Sequence, residues 1–223
     1  MNISDIKGMK YPDEYFIKYF FKQGFHCEEK KFFLEFGSSN GNNLSLPYQY
    51  GHDVVGVDFD ETLIAYAEEN FKKLQEDNTF EFAVDDMRSF AKKRKNLQAD
   101  VLLLPNIINY ISRDEFVSFL HTMVKHKNIK KGAEIFIRCR TPKDFRFGIG
   151  EYIDNNSYKM PDDYHDTGEA GCLNRFYTPV ELVDILKREL QLKEFKLFES
   201  NCQNEHSGKI VLNSDIILWG KIL

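Results

Sequence analysis

Short apolar runs alternate along this chain with longer stretches in which apolar positions recur every three or four residues. The runs at Lys31–Phe36, Asp53–Asp58, Phe80–Val84, Ala99–Leu104 and Ala133–Arg138 are near-continuous in Val, Ile, Leu and Phe. Such runs belong to strands covered on both faces. Pro105 ends the fourth, because proline has no amide to continue a ladder. Between the runs the period changes to that of a helix: Leu63, Ile64, Ala67 and Phe71 share one face of Glu61–Gln75. Further helices are predicted near Asn43–Tyr50, over Met87–Lys95 and over Arg113–His126. Tyr15, Phe16, Tyr19 and Phe20 give a pre-sheet helix between Pro12 and Gly24. Strand and helix in strict alternation predict an α/β fold with a doubly wound parallel sheet.

The rhythm breaks after strand five. From Arg140 to Thr178 the chain is polar and aromatic with little periodicity, and loops of that length in compact domains usually form lids or binding segments. Thr178-Pro179 restarts a helix, with threonine as N-cap and proline in the first turn, running to about Leu190. Two strands close the chain, near Glu194–Glu199 and Ser214–Ile222. The Asn-, Ser- and Gly-rich stretch Ser200–Asn213 between them reads as a hairpin loop. No repeat or linker interrupts the series, so one domain over 1–223 is expected.

The chemistry concentrates in Phe32–Asn43, FFLEFGSSNGNN, and in the next strand, which closes on Asp58. A buried strand that stops at Glu35 and enters a loop holding Gly37 and Gly41 lets backbone approach a ligand. An acid ending the following strand can grip ribose hydroxyls. The glycines could equally serve turn geometry alone, and the acid Asp86 could simply cap the helix after it, with Asp85 competing for that role.

In this order the motifs resemble those of class I S-adenosylmethionine (SAM)-dependent methyltransferases, from about Tyr11 to Leu223. Glu35-Phe36-Gly37-Ser38-Ser39-Asn40-Gly41 stands where the family has its acidic, glycine-rich first motif, with Ser39 at the middle glycine. Asp58 stands where the family's acid holds both ribose hydroxyls, and Asp86-Met87-Arg88 is similar to the D-M-R form of the motif that meets adenine. PNIINY, Pro105–Tyr110, resembles the segment lining the methyl-transfer site, and the last two strands resemble the family's terminal hairpin. The resemblance implies a Rossmann-like, seven-stranded sheet with helices on both faces and an antiparallel C-terminal strand. It implies SAM as cofactor, S-adenosylhomocysteine as product, and cofactor contacts from Tyr11, Glu35, Gly37, Ser39, Asn40, Gly41, Asp58, Phe59, Asp86, Met87 and Asn106. Tyr110 would face the acceptor.

Strand five and the segment after it carry the remaining candidates, among them Arg138, Arg140, Asp144, Arg146, Tyr152, His165, Asp166, Glu169, Arg175 and Tyr177. Arg138 ends a buried strand, where a guanidinium either binds a carboxylate or phosphate of a ligand or closes an internal salt bridge. With Arg146 and Arg175 it points to an anionic or phosphorylated small-molecule acceptor, such as a nucleotide-linked sugar or a carboxylic acid. His165, in DDYHDTGE, is the candidate general base, with Asp163 or Asp166 to orient its ring. A base favours O-methylation slightly over transfer to nitrogen. Two other readings stand beside this one: an NAD(P)-dependent oxidoreductase, which GSSNGNN fits poorly because it is not GxGxxG, and a SAM- or nucleotide-binding protein without catalysis.

Composition trims the field further. Net charge is −5 and pI near 5.7, so a nucleic-acid partner lacks its basic face, and the basic clusters Lys92–Lys95 and Lys125–Lys131 read as solvated surface. No apolar stretch approaches a membrane span, and the first residues, MNISDIKGMKYPDEY, lack a signal-peptide core. Cys27, Cys139, Cys172 and Cys202 have no CxxC spacing, which fits reduced thiols in the cytoplasm and gives no metal site. Oligomeric state leaves no mark on the sequence.

Overall fold

The computed structural model describes residues 3–74, 77–206 and 208–222. Its large sheet holds seven strands in the order β3-β2-β1-β4-β5-β10-β9. These are β1 (Phe32–Phe36), β2 (Asp53–Asp58), β3 (Phe80–Val84), β4 (Ala99–Pro105) and β5 (Ile129–Arg140), then β9 (Lys193–His206) and β10 (Lys209–Lys221). The first five pair in parallel, and β10 enters antiparallel between β5 and β9.

Alternation along each central strand divides the core into two. Leu34, Val55, Leu102, Ile135 and Leu218 face one side, beneath α4 (Met87–Lys93), α5 (Arg113–Lys125) and α6 (Pro179–Leu190). Phe33, Val54, Leu103, Phe136 and Ile217 face the other, beneath α1 (Glu14–Lys22), α2 (Ser45–Gln49) and α3 (Glu61–Leu74). Buried on both faces, these strands cannot alternate with polar residues, which is why they read as unbroken apolar runs. The helices start where side chains satisfy their first amides: Asp13 caps α1, Asp86 caps α4, Ser112 and Glu115 form a capping box on α5, and Thr178 caps α6.

Two expectations are corrected. The stretch Ser200–Asn213 is mostly strand, since β9 and β10 pair from Lys193↔Lys221 to His206↔Lys209. Cross-strand hydrogen bonds override the turn-like composition, and Thr141 and Phe145 donate to Ser214 and Leu212 at 2.9 Å. The region after β5 contains a second, three-stranded antiparallel sheet of β6 (Glu151–Asp154), β7 (Ser157–Lys159) and β8 (Leu173–Arg175). Its first hairpin turns on Asn155-Asn156, both at positive φ, the left-handed pair that a two-residue hairpin needs. β5 is also longer at both ends than its apolar run. Gln75, the expected end of α3, and Ser207 and Leu223 lie outside the described residues. Among those described, no helix is long and apolar enough to cross a membrane.

Phe136 is fully buried in β5, stacks on Tyr19 with ring centres 5.3 Å apart, and meets Phe16 edge-on at 5.7 Å. Phe136→Ala is expected to lower the unfolding free energy by about 3–5 kcal/mol in urea. A loss under about 1 kcal/mol would show that α1 does not lean on this ring.

Candidate functional site

A cavity of about 790 Å³ opens where the parallel strands end, lined by the loops after β1, β2, β3 and β4. This is the position at which open α/β sheets take ligands, and the volume lies within the range of small-molecule sites, about 300–1,000 Å³. The segment before α1 and the turn before β8 complete the wall, through Met9, Tyr11, Pro12 and Asp13 on one side and Gly168, Glu169, Cys172 and Leu173 on the other.

The loop after β1 is shaped by its own hydrogen bonds. Gly37 and Ser38 donate to Val57 O at 2.8 and 3.1 Å, Gly41 donates to Ser38 O at 2.9 Å, and Ser39 donates to Asp58 Oδ2 at 2.8 Å. Ser39 takes φ +50°, so it reproduces the conformation of the glycine it replaces. Gly37, at φ +71°, could not carry a Cβ without meeting Ile107 at 2.9 Å. Gly41 plays a different part from the one expected. Its missing Cβ makes room for Phe71, 2.7 Å from where that atom would stand, and it is absent from the cavity wall.

The loop's asparagines face the incoming chain. Asn40 donates to Lys7 O and Met9 O and accepts from Met9 N. Asn42 donates to Tyr11 O at 3.0 Å, and Asn43 accepts from Asp13 N at 2.8 Å. Together they pin residues 7–13 along the cavity rim. Asn40 therefore fastens the rim and does not line the cavity.

Glu35 also lies beneath the wall. It is fully buried, Asn43 donates to its Oε1 at 2.6 Å, and its Oε2 has no hydrogen-bond partner. Burial raises its pKa to about 8 despite the Asn43 bond, and Asp13 and Asp58 push it the same way. A single amide cannot hold a buried carboxylate, so at neutral pH this acid keeps its proton.

Asp58 does reach the cavity, its carboxylate aimed by Ser39 N and by Asp60 N at 3.1 Å, with lone pairs to spare on both oxygens. Phe59 beside it is 76% exposed and Tyr11 68% exposed, two aromatic faces flanking the opening. Asp86 and Met87 line the far end. Asp86 caps α4 and holds Arg88 Nη2 at 2.7 Å, and these bonds keep its carboxyl below the usual range. Asp85 donates its amide to Asp58 O and pairs with Lys93. Asn106, at φ +57°, and Tyr110 line the wall after β4.

The lid candidates fare differently. Arg138 bridges Asp13 at 2.5 Å and Asp215 at 2.6 Å, so the internal salt bridge is its use. Arg146 is held by Asp144, and fully buried Arg175 by Glu181, Ser157 and Asn155 O. None of the three reaches the cavity wall. His165 is exposed on the lid and is also absent from that wall. Glu169, which the charge pattern alone did not separate from its neighbours, lines the cavity instead: it accepts from Tyr110 at 2.6 Å and, from behind the wall, from Arg140 at 2.5 Å.

Comparison with known proteins gives similarity over part of the chain and a shared fold over most of it. A protein-family model described as "Methyltransferase domain" matches residues 33–128, the span from β1 through α5. A search of curated proteins gives no match. Among solved structures, a SAM-dependent methyltransferase from Methanosarcina mazei is 19% identical with a TM-score of 0.66, over 89% of this chain and 95% of that one. One from Archaeoglobus fulgidus is 15% identical with a TM-score of 0.60, over 94% and 100%. The 1,6-didemethyltoxoflavin-N1-methyltransferase of Burkholderia thailandensis, solved with S-adenosylhomocysteine, is 16% identical with a TM-score of 0.61, over 92% and 76%. Residues 33–128 are therefore similar to a methyltransferase domain, and the fold of the chain is the one that SAM-dependent methyltransferases adopt.

The cavity's charges suit SAM as a ligand. Six carboxylates line it; Asp13, Asp85, Asp86 and Glu169 are paired with Arg138, Lys93, Arg88 and Arg140, while Asp58 and Asp60 have no ion pair among the described residues. That field favours a ligand of net positive charge such as SAM. It opposes the diphosphate of NAD(P), whose usual cradle of free loop amides is also missing, because Gly37, Ser38, Ser39 and Gly41 donate inward.

Folded Glu35 holds its proton to about pH 8, whereas a free carboxyl releases it near 4.5. Folding therefore binds a proton between those values, and stability falls as pH rises across that window. Glu35→Gln removes this slope. Between pH 5.5 and 8, urea unfolding should show the unsubstituted protein losing roughly 2–3 kcal/mol more than the variant. Parallel pH dependence in the two proteins would contradict the protonated assignment.

Proposed function

We propose that the enzyme moves the methyl group of SAM to a small-molecule acceptor held between the β4 loop and the lid. The observation that carries this is the acid-lined cavity whose glycine loop turns its amides inward, a wall matched to a cationic cofactor. Asp58 would take the ribose hydroxyls, with Phe59 and Met87 flanking the base beside Asp86. Gly37, Ser39, Asn106 and Tyr11 would line the methionine end. The bound cofactor supplies a methyl group already activated by its sulfonium, so the protein's task is to align the acceptor and exclude water. Orientation of this kind is worth about 7–11 kcal/mol of barrier.

We read residues 1–223 as one catalytic unit, with 140–178 as its lid. The arginines that supported an anionic acceptor are spent on internal ion pairs, and the base that favoured oxygen stands outside the cavity wall. The free cysteines, three exposed and one buried, fit a reducing, cytoplasmic setting.

Asp58→Ala should weaken SAM binding roughly 10- to 150-fold by calorimetry, the worth of hydrogen bonds to a charged group, with the circular dichroism spectrum unchanged. Undiminished affinity in a folded variant would remove Asp58 from the ribose site.

A further inference from the structure

Where the loop after β4 meets the lid, the wall combines the apolar Ile107, Ile111 and Leu173 with the hydrogen-bonded pair Tyr110 and Glu169. The Tyr110 hydroxyl donates to Glu169 at 2.6 Å and accepts from Arg140 at 3.1 Å. One lone pair is left, on a side chain 37% exposed. Glu169 is fully engaged, taking Thr167 at 2.8 Å and Arg146 at 3.5 Å besides Tyr110 and Arg140. Asp13, on the wall across from the lid, caps α1 with one oxygen and binds Arg138 with the other.

We propose, resting on the methyl-transfer reading above, that the acceptor atom is a weakly basic nitrogen on an uncharged molecule, its N–H bonded to the Tyr110 hydroxyl. Three physical constraints lead there. An alcohol or phenol must lose its proton as the new bond forms, yet no histidine or lysine lines the described wall, and Asp13 and Glu169 are already paired with arginines. A carboxylate or thiolate would bring negative charge into a cavity whose lining charges without an ion pair among the described residues, Asp58 and Asp60, are both acidic. A strongly basic alkylamine would be held in that field as its ammonium form, which has no lone pair to give.

A weakly basic nitrogen meets none of these obstacles. It is neutral at physiological pH, and its lone pair forms the bond to the methyl carbon while the carbon–sulfur pair returns to sulfur. The proton leaves for water only after the methylated nitrogen has become cationic, in surroundings that favour a cation. Burial raises the Tyr110 pKa, and Arg140 and Arg146 keep Glu169 ionised against the opposing effect of its burial, so the pair orients the acceptor without taking its proton.

The test uses planar scaffolds bearing an aryl or heteroaryl amine, a phenol, a carboxylate or an alkylamine. Binding of each to the S-adenosylhomocysteine-saturated enzyme is measured by calorimetry, and methyl transfer from SAM by radiolabel. The weakly basic amines should bind and be methylated, with kcat/KM level from about pH 6 to 9 because no protein base titrates. Tyr110→Phe should raise KM for them about 2- to 10-fold, the worth of one neutral hydrogen bond, with S-adenosylhomocysteine affinity unchanged. Preferential transfer to phenol, carboxylate or alkylamine would overturn the proposal. So would a SAM-binding enzyme that methylates none of the amines. Failure to bind S-adenosylhomocysteine at all would instead overturn the methyl-transfer reading, and the acceptor inference with it.

Discussion

One hydrogen-bonded chain beneath the cavity ties together the parts that form it. Protonated Glu35 on β1 accepts from Asn43, Asn43 accepts from the amide of Asp13, and Asp13 binds Arg138 on β5, which binds Asp215 on β10. Each link crosses a different element boundary. The pre-sheet segment, the glycine loop and the far half of the sheet are thereby held in one register. Because Arg138 and Asp13 are largely removed from water, losing either partner would strand a buried charge. Beside this chain, the rim residues Met9 and Tyr11 are held in place by Asn40 and Asn42.

The cavity above it is governed by charge. The acids belong to separate elements and do separate local work: Asp86 and Asp60 cap helices, Asp85 binds Lys93, and Asp58 is aimed by loop amides. Their common consequence is a field that draws a cation and discourages an anion. The same field bears on both partners of the reaction. Under the proposed reading it suits a positively charged methyl donor and an acceptor that arrives neutral.

Much of the fold was legible because buried parallel strands must be apolar throughout, and β2 and β3 match their runs residue for residue. Asp58 was legible for a related reason: an acid closing such a run has no packing role. The long hairpin was not, since Asn201, Asn204 and Asn213 gain their extended conformation from a partner strand and not from local preference. The lid sheet left one readable trace, the Asn155-Asn156 pair between Ile153 and Tyr158. Charged residues were the hardest to place. Arg138, Arg140, Arg146, Arg175 and Glu169 carry similar chemistry in sequence, and only packing separates the four arginines in internal ion pairs from Glu169, which meets the cavity. Gly41 and Asn40 show the same limit within a motif, where a neighbouring ring or segment claims a residue that its spacing offers to a ligand.

The most direct measurement is a crystal structure of the protein soaked with S-adenosylhomocysteine. The account predicts density in the cavity above β1 and β2, with both ribose hydroxyls on Asp58 and Tyr110 left free at the lid end. Density elsewhere, or a ribose that avoids Asp58, would contradict it.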